Sequence, residues 1–195
     1  PDFQQLFLPD LGSDKIRRYN FDQDQAKPLD LDGNFIPTDP GSGPRHISFH
    51  PNQYFAYSIE ELSGEISVYD LDGRYMYLIQ KIKTHPDNLT EGFESSDVHL
   101  SPDGKFLYAT NRGNENNIAI FSVAEDGTLK NIGYQSTLGK HPRTFAIDPS
   151  GNYLIVTNVN SSDAVVFKRD FKTGLLKKTD SVKMENVTCV QIQKI

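Results

Sequence analysis

Between Gly43 and Leu62 the chain reads GPRHISFHPNQYFAYSIEEL, with Arg45 and His46 at the mouth of one apolar-alternating segment and Glu60 and Glu61 at the far end of the next. Guanidinium groups hold carboxylates, phosphates and oxyanions, and carboxylates and imidazoles transfer protons. Two more guanidiniums stand in comparable settings, Arg112 in NRG and Arg143 in HPRTF. These groups form a site only if the fold returns widely separated stretches to one place. Otherwise they are solvated turn charges, whose pairs are worth about 0–1 kcal/mol.

A repeat supplies the geometry. PDFQQLFLPDLGSDKIRRY from Pro1, PNQYFAYSIEELSGEISVY from Pro51, PDGKFLYATNRGNENNIAIF from Pro102 and PSGNYLIVTNVNSSDAVVF from Pro149 align, with proline spacings of 50, 51 and 47. Each runs from a Pro-polar turn through an apolar run, a polar cluster and a second β-rich run to an aromatic stop at Tyr19, Tyr69, Phe121 or Phe167. Ahead of the last three prolines, alternate positions are apolar (Ile47 and Phe49, Val98 and Leu100, Phe145 and Ile147), the period of a strand. The turn signals Asp72-Gly73, Asp126-Gly127 and Thr173-Gly174 then introduce a fourth run. One unit is four antiparallel strands in about 40–50 residues, a propeller blade. Unbroken runs such as FLYAT and YLIVT fit middle strands covered on both faces by neighbouring blades.

The expected fold is therefore all-β, about four blades' worth of a β-propeller. A partial blade is predicted over 1–42, whole blades over about 43–90, 91–138 and 139–184, and an inner strand over 186–195 in which Val190 and Ile192 carry the alternation. Such an arc exposes sheet faces and edges. Missing N-terminal blades of the same protein are expected to complete a larger ring.

Counted from each proline, position eleven is Leu11, Glu61, Arg112 and Val159; six before the proline stand Arg45, Ser96 and Arg143, with Thr188 equivalent near the end. The first strand of a blade lines the central channel and the second returns antiparallel beside it. The two sets are then neighbouring rings at one mouth of the channel, with His46 beside them. Position ten (Asp10, Glu60, Asn111, Asn158) reads as local turn hydrogen bonding. His50 reads as surface, His99 as an inter-blade hydrogen bond, and His141 fits either role. Neither a His pair at ligand spacing nor a dense acidic loop is present, so no metal or cofactor is expected. There is no serine nucleophile elbow and no phosphate-cradling glycine loop.

The net charge of −6 is spread along the chain and argues against nucleic acid as a partner, while leaving room for a small anion. No apolar run approaches the ~18 residues of a membrane span, so no membrane partner is expected. Cys189 is the one cysteine, which excludes an internal disulfide and fits a reducing, cytoplasmic compartment.

The segments PDLGSD, GPRHISFHP with EEL following, DVHLSPDGKFLYATNRG and HPRTFAIDPSGNYLIVTN together resemble the lactonase-type seven-bladed β-propellers. That family includes a bacterial 6-phosphogluconolactonase and, more distantly, fungal carboxymuconate lactonizing enzymes. SPDG-x-x-LY occurs in many propellers. The ordered set is more specific: PRH-x-x-FHP, an acidic-Leu pair sixteen residues after the Arg, then NRG, then PR-x-F. The resemblance covers essentially the whole chain and matches the C-terminal part of the family. It implies hydrolysis of a sugar-acid lactone such as 6-phosphogluconolactone, in carbohydrate metabolism and the pentose phosphate pathway, with a small anionic lactone or sugar phosphate as substrate. It matches Arg45, Glu61 and Arg112 to the family's functional residues, with Arg143 a further candidate. Catalysis is then expected of Glu61, as general base or as partner to the family's His, and of Arg45 and Arg112, stabilising an oxyanion or holding the anionic end of the substrate; substrate binding is expected of Arg143 and of the neighbouring His46. One departure is Glu60, where the family usually has Asn; like-charge proximity to Glu61 is expected to raise one of the two pKa values. A second is that the family's catalytic His lies just ahead of the residue matching Pro1. Lactone formation from a muconate-like diacid is an alternative on the same scaffold, and a non-catalytic binding propeller an alternative of another class.

Overall fold

A computed structural model describes residues 4–73, 75–89 and 91–192. They form fifteen strands in four sheets, each an antiparallel meander in chain order. The first sheet holds β1 (Gln5–Asp10), β2 (Lys15–Phe21) and β3 (Leu29–Pro37). The second holds β4 (Pro44–Phe49), β5 (Phe55–Glu60), β6 (Glu65–Asp72) and β7 (Tyr75–Lys83). The third holds β8 (Ser95–Leu100), β9 (Phe106–Asn111), β10 (Asn117–Val123) and β11 (Leu129–Ser136). The fourth holds β12 (Pro142–Ile147), β13 (Tyr153–Asn158), β14 (Asp163–Arg169) and β15 (Leu176–Lys183). Among the described residues no helix is long and apolar enough to cross a membrane.

The repeat frame survives to the residue. β1, β5, β9 and β13 each begin at position five and end at position ten of their unit. The third-to-fourth strand pairing slips at the same place each time, at the aromatic stop: Arg17/Tyr19, Val68/Tyr69, Ile120/Phe121 and Val166/Phe167. An extra residue there increases strand twist, which gives each blade its propeller pitch.

Burial explains the unbroken apolar runs. Every residue of β9 is buried, because the second sheet packs on one face and the fourth on the other. Tyr57, Val68, Leu107 and Phe121 form one inter-blade core; Tyr108, Ile120, Phe145 and Phe167 form the next; Ile16, Ala56 and Tyr69 join the first sheet to the second. A buried side chain of this kind contributes about 1.5–3 kcal/mol. The outer strand β15 is exposed almost throughout and carries lysines along its length, a common protection for a sheet edge.

A latch repeats between blades. Tyr57 Oη donates to Gly127 O (3.1 Å) and Tyr108 Oη to Gly174 O (2.8 Å), so position seven of one blade holds the strand-three-to-four turn of the next. Residues 186–192, expected as an inner strand, carry no strand. An inner strand is held by the second strand of its own blade, and no such partner lies among the described residues; 193–195 fall outside them.

Candidate functional site at the channel mouth

The inner strands β4, β8 and β12 lie side by side, and each enters its sheet through a register shift. Pro44 pairs with Glu60 but His46 with Ile59; Ser95 with Asn111 but Val98 with Ala109; Pro142 with Asn158 but Thr144 with Thr157. Arg45 and Arg143 are thus the extra residues of their bulges, re-aimed out of the pleat toward the rim, which is a recurring use of bulges beside functional sites.

There the separated charges meet. Arg45 Nε lies 2.9 Å from Glu61 Oε2, and Arg112 Nη2 lies 2.5 Å from Glu61 Oε1. One carboxylate therefore sits between two guanidiniums from adjacent blades. Arg112 is 8% exposed and its Nε has no hydrogen-bond partner. Backbone contacts seat the group: Glu61 N donates to Gly43 O (2.7 Å), Ser95 N to Glu61 O (3.1 Å) and Arg112 N to Glu94 O (2.9 Å). Burial presses the Arg45 pKa below its ordinary value, Glu61 opposes this, and Arg112 and Arg143 add to it. Arg143 is exposed, and its charge is felt by Arg45 and by His141.

Arg45 and Arg143 are stapled to the strand between them. Arg45 Nη1 donates to Ser96 O, and Ser96 Oγ donates to Arg143 O (2.7 Å). The five-before slot is a second ring, His46, Asp97 and Thr144, and Asp97 joins all three. His46 Nδ1 lies 2.6 Å from Asp97 Oδ1, and Thr144 Oγ1 donates to Asp97 Oδ2 at 2.7 Å. His99 Nε2 (3.2 Å) and Phe145 N (3.2 Å) also reach Oδ2, and Val98 N reaches Oδ1 (2.9 Å). Burial alone raises a carboxyl pKa; here the hydrogen bonds from His46 and His99 outweigh it and hold Asp97 well below the usual carboxylate range.

Sequence reasoning missed Asp97, yet the signal was present: five residues before Pro102, it is the repeat equivalent of His46 and Thr144. His99, expected in an inter-blade bond, spends its Nε2 on Asp97 of its own strand and sets its ring edge-on to Phe145 of the next blade, centroids 4.8 Å apart. His50, expected at the surface, is half-buried and its Nε2 meets Gly104 O of the next blade at 3.1 Å. His141 stands near the site with a positive φ of 61°. Burial lowers its pKa, with Arg112 adding and Glu94 opposing.

Glu60 does not share its environment with Glu61. It is 2% exposed, accepts from Ser42 Oγ at 3.0 Å and leaves Oε1 unpaired. Its pKa is raised, and burial is the largest cause, partly offset by Ser42, Ser67 and Ser58. Position ten ends a central strand, where Asn111 and Asn158 are fully buried, yet the expected turn hydrogen bonds are made: Asn111 Nδ2 donates to Asn117 Oδ1 and Asn158 Nδ2 to Asp163 Oδ1, both at 2.9 Å, and the half-buried Asp10 bonds to Gly12, Ser13 and Arg17.

Behind the site, Ser95 Oγ lies 3.2 Å from His85 Nε2, and His85 Nδ1 pairs with Glu115. The order of groups is that of a nucleophilic triad, but Ser95 is fully buried and its hydroxyl is also engaged by Thr84 (2.8 Å) and Asn111 (3.0 Å). This network is scaffold: its backbone seats Glu61, and Asn111 directly precedes Arg112.

The family model described as lactonase, 7-bladed beta-propeller, matches residues 1–192. The chain belongs to this lactonase propeller family. It is 46% identical over 176 residues to a 6-phosphogluconolactonase of Formosa agariphila, covering 89% of this chain and 50% of that protein. It is 36% identical to the 6-phosphogluconolactonase of Bacillus subtilis, covering 90% of this chain and 50% of that protein. The solved structure of the periplasmic gluconolactonase of Pseudomonas aeruginosa superposes with a TM-score of 0.90 at 39% identity, over 95% of this chain and 53% of that one. The chain thus spans about half the length of the relatives it matches, and its four sheets are blades of a β-propeller.

Proposed function

We propose that the channel mouth hydrolyses a sugar-acid lactone carrying an anionic substituent, 6-phosphogluconolactone being the substrate that fits best. The reading is carried by one observation, the Glu61 carboxylate held between Arg45 and Arg112 at 2.9 and 2.5 Å with Arg143 nearby. Lactone hydrolysis adds water to an ester carbonyl and builds negative charge on its oxygen. Two guanidiniums fixed in advance by one carboxylate stabilise such charge without reorganising when it forms. Arg143, exposed at the rim, is placed to take the phosphate or carboxylate of the substrate. The relatives named as 6-phosphogluconolactonases support the same chemistry. The four blades supply one wall of the channel, and the remaining blades of a seven-bladed ring are the partner that supplies the facing wall. A phosphorylated substrate does not diffuse across membranes, which favours the cytoplasm as the compartment.

The test is turnover by the full ring. Wild type is expected to open 6-phosphogluconolactone, and Glu61→Gln to lower kcat about 100-fold or more, the scale on which transition-state charge stabilisation is lost. Turnover of a muconate-like diacid in place of the sugar lactone would transfer the site to lactone formation; unchanged kcat in Glu61→Gln would remove Glu61 from the machinery.

A further inference from the structure

We propose that His46 Nε2 is the proton-accepting position of the mouth and that Asp97 is its positioning residue, a deepening that rests on the lactone reading above. Ester hydrolysis needs a group to take the proton of the attacking water. Both oxygens of Glu61 already face guanidiniums at 2.9 and 2.5 Å, so water would have to displace one of them. His46 is differently arranged. Its side chain is 43% exposed, while the Asp97 side chain it meets is 3% exposed.

The tautomer follows from the partner. An ionised carboxylate only accepts hydrogen bonds, and Asp97 also accepts from Val98 N, Phe145 N and Thr144 Oγ1, so the hydrogen between it and His46 lies on Nδ1. The other nitrogen of a neutral ring, Nε2, is then a bare acceptor. Arg45 Nη1 does not consume it. That atom lies 3.3 Å from Nε2 and 3.5 Å from Nδ1, and a position nearly equidistant from both nitrogens in the ring plane would collide with the carbon between them. Arg45 therefore stacks over the face, leaving the in-plane lone pair of Nε2 open. Three blades fix this ring: β4 carries it, β8 supplies Asp97, and β12 supplies the Thr144 hydroxyl that holds the far carboxylate oxygen.

The charged and titratable groups around the Arg45–His46 pair are Asp97 and His99 from β8, Glu61 after β5, Arg112 after β9, and Arg143 from β12 with His141 just before it. Of the other histidines, His85 is buried and His99 spends Nε2 on Asp97. The rivals are His141, whose ring makes no hydrogen bond among the described residues, and the catalytic His that the family carries just ahead of the residue matching Pro1. In the step itself, Nε2 takes a proton from water as the water oxygen bonds to the lactone carbonyl carbon. The ring C–O bond then breaks and the departing alkoxide takes that proton back. One water is consumed, and the new carboxyl group loses its proton to solvent.

Two measurements on the full-ring protein test this. In wild type, long-range 1H–15N NMR of the imidazoles is expected to show His46 as the Nδ1–H tautomer; an Nε2–H tautomer overturns the proposal whatever the enzyme turns over. In kinetics, His46→Gln is expected to lower kcat about 100-fold with KM changed less than about threefold, and to remove the acidic limb of the kcat–pH profile. Thr144→Val, which leaves the buried Asp97 carboxylate in place, is expected to lower kcat several-fold and to shift His46 toward a mixture of tautomers. Retention of kcat and of the acidic limb in His46→Gln overturns the proposal; their loss in His141→Gln then hands the role to His141, and their retention there as well hands it to the family's His ahead of Pro1. Absence of turnover on any lactone sinks the lactone reading instead, and the NMR tautomer then decides the His46 assignment alone.

Discussion

Adjacent in sequence, Glu60 and Glu61 part company at the end of β5: Glu60 closes the strand with its side chain in the core, and Glu61 begins the turn with its side chain at the channel mouth. Burial gives Glu60 a pKa above the ordinary glutamate value of 4.5, so the folded state holds its proton more tightly than the unfolded chain does. The stability this contributes is fully present below pH 4.5 and is lost as pH rises through the raised value. Above that point an ionised carboxylate is buried with Oε1 unpaired, a defect of about 1–3 kcal/mol. Glu60→Gln is therefore expected to melt a few degrees higher than wild type at pH 8, at about 2–4 °C per kcal/mol for a domain of this size, with the gap closing toward pH 4.5; calorimetry at both pH values checks it. A gap that widens on acidification would mean that Glu60 is stabilised as the anion. The primary sequence invites pairing the two carboxylates because they are neighbours, whereas strand geometry sends successive side chains to opposite faces. That rule was available from the residues alone. The burial of Glu60 was not, because it depends on Ser42 arriving from the loop ahead of β4.

At the scale of elements, the propeller is held by contacts that repeat between blades. The turns at Gly127 and Gly174 have φ of 79° and 73°, and a Cβ on either would meet a phenylalanine ring of the preceding blade, Phe55 at 2.4 Å or Phe106 at 2.3 Å. Gly73 has φ of 59° and nothing within 4 Å of a Cβ. Gly174→Ala is expected to cost the backbone strain of about 1–2 kcal/mol plus an overpacking penalty of about 1–3 kcal/mol; Gly73→Ala should cost the backbone part alone. Denaturant unfolding of the two variants separates them, and equal losses would show that the ring contact relaxes freely. Much at this scale was legible in the residues. The four units, their strand order and the turn glycines come from period-two alternation and from Asp-Gly and Thr-Gly signals. The latch itself was not, because Tyr108 and Gly174 belong to different blades and only blade packing makes them neighbours. The bulges were equally hidden: Arg45 and Arg143 could be assigned to equivalent slots, but that each is the extra residue of a register shift depends on pairing, which a single strand does not reveal.

Across the whole molecule, charge is distributed against its average. The chain carries −6, yet the mouth gathers three guanidiniums, Arg45, Arg112 and Arg143, around Glu61, with Glu94 beside His141 and Asp97 held in five hydrogen bonds. Guanidiniums gathered at one mouth attract small anions locally, while the anionic body repels extended polyanions. This separation was legible in outline, since the repeat frame put the guanidiniums on adjoining rings; its sign was not, because neutralisation depends on which carboxylates face the same way. The attraction is screened by salt, the Debye length shrinking from ~30 Å at 0.01 M to ~10 Å at 0.1 M. For the full-ring enzyme, kcat/KM on a phosphorylated lactone is expected to fall about tenfold between 0.01 and 0.5 M salt, in the range seen for steered association, while kcat/KM on the uncharged lactone of the same sugar acid changes less than about twofold. Arg143→Ala should raise KM for the phosphorylated substrate about tenfold, the loss of one charge-assisted contact, and leave the uncharged one unaffected. If both lactones respond alike to salt and to the loss of Arg143, the guanidinium at the rim does not read the phosphate, and discrimination has to come from the blades on the opposite side of the channel.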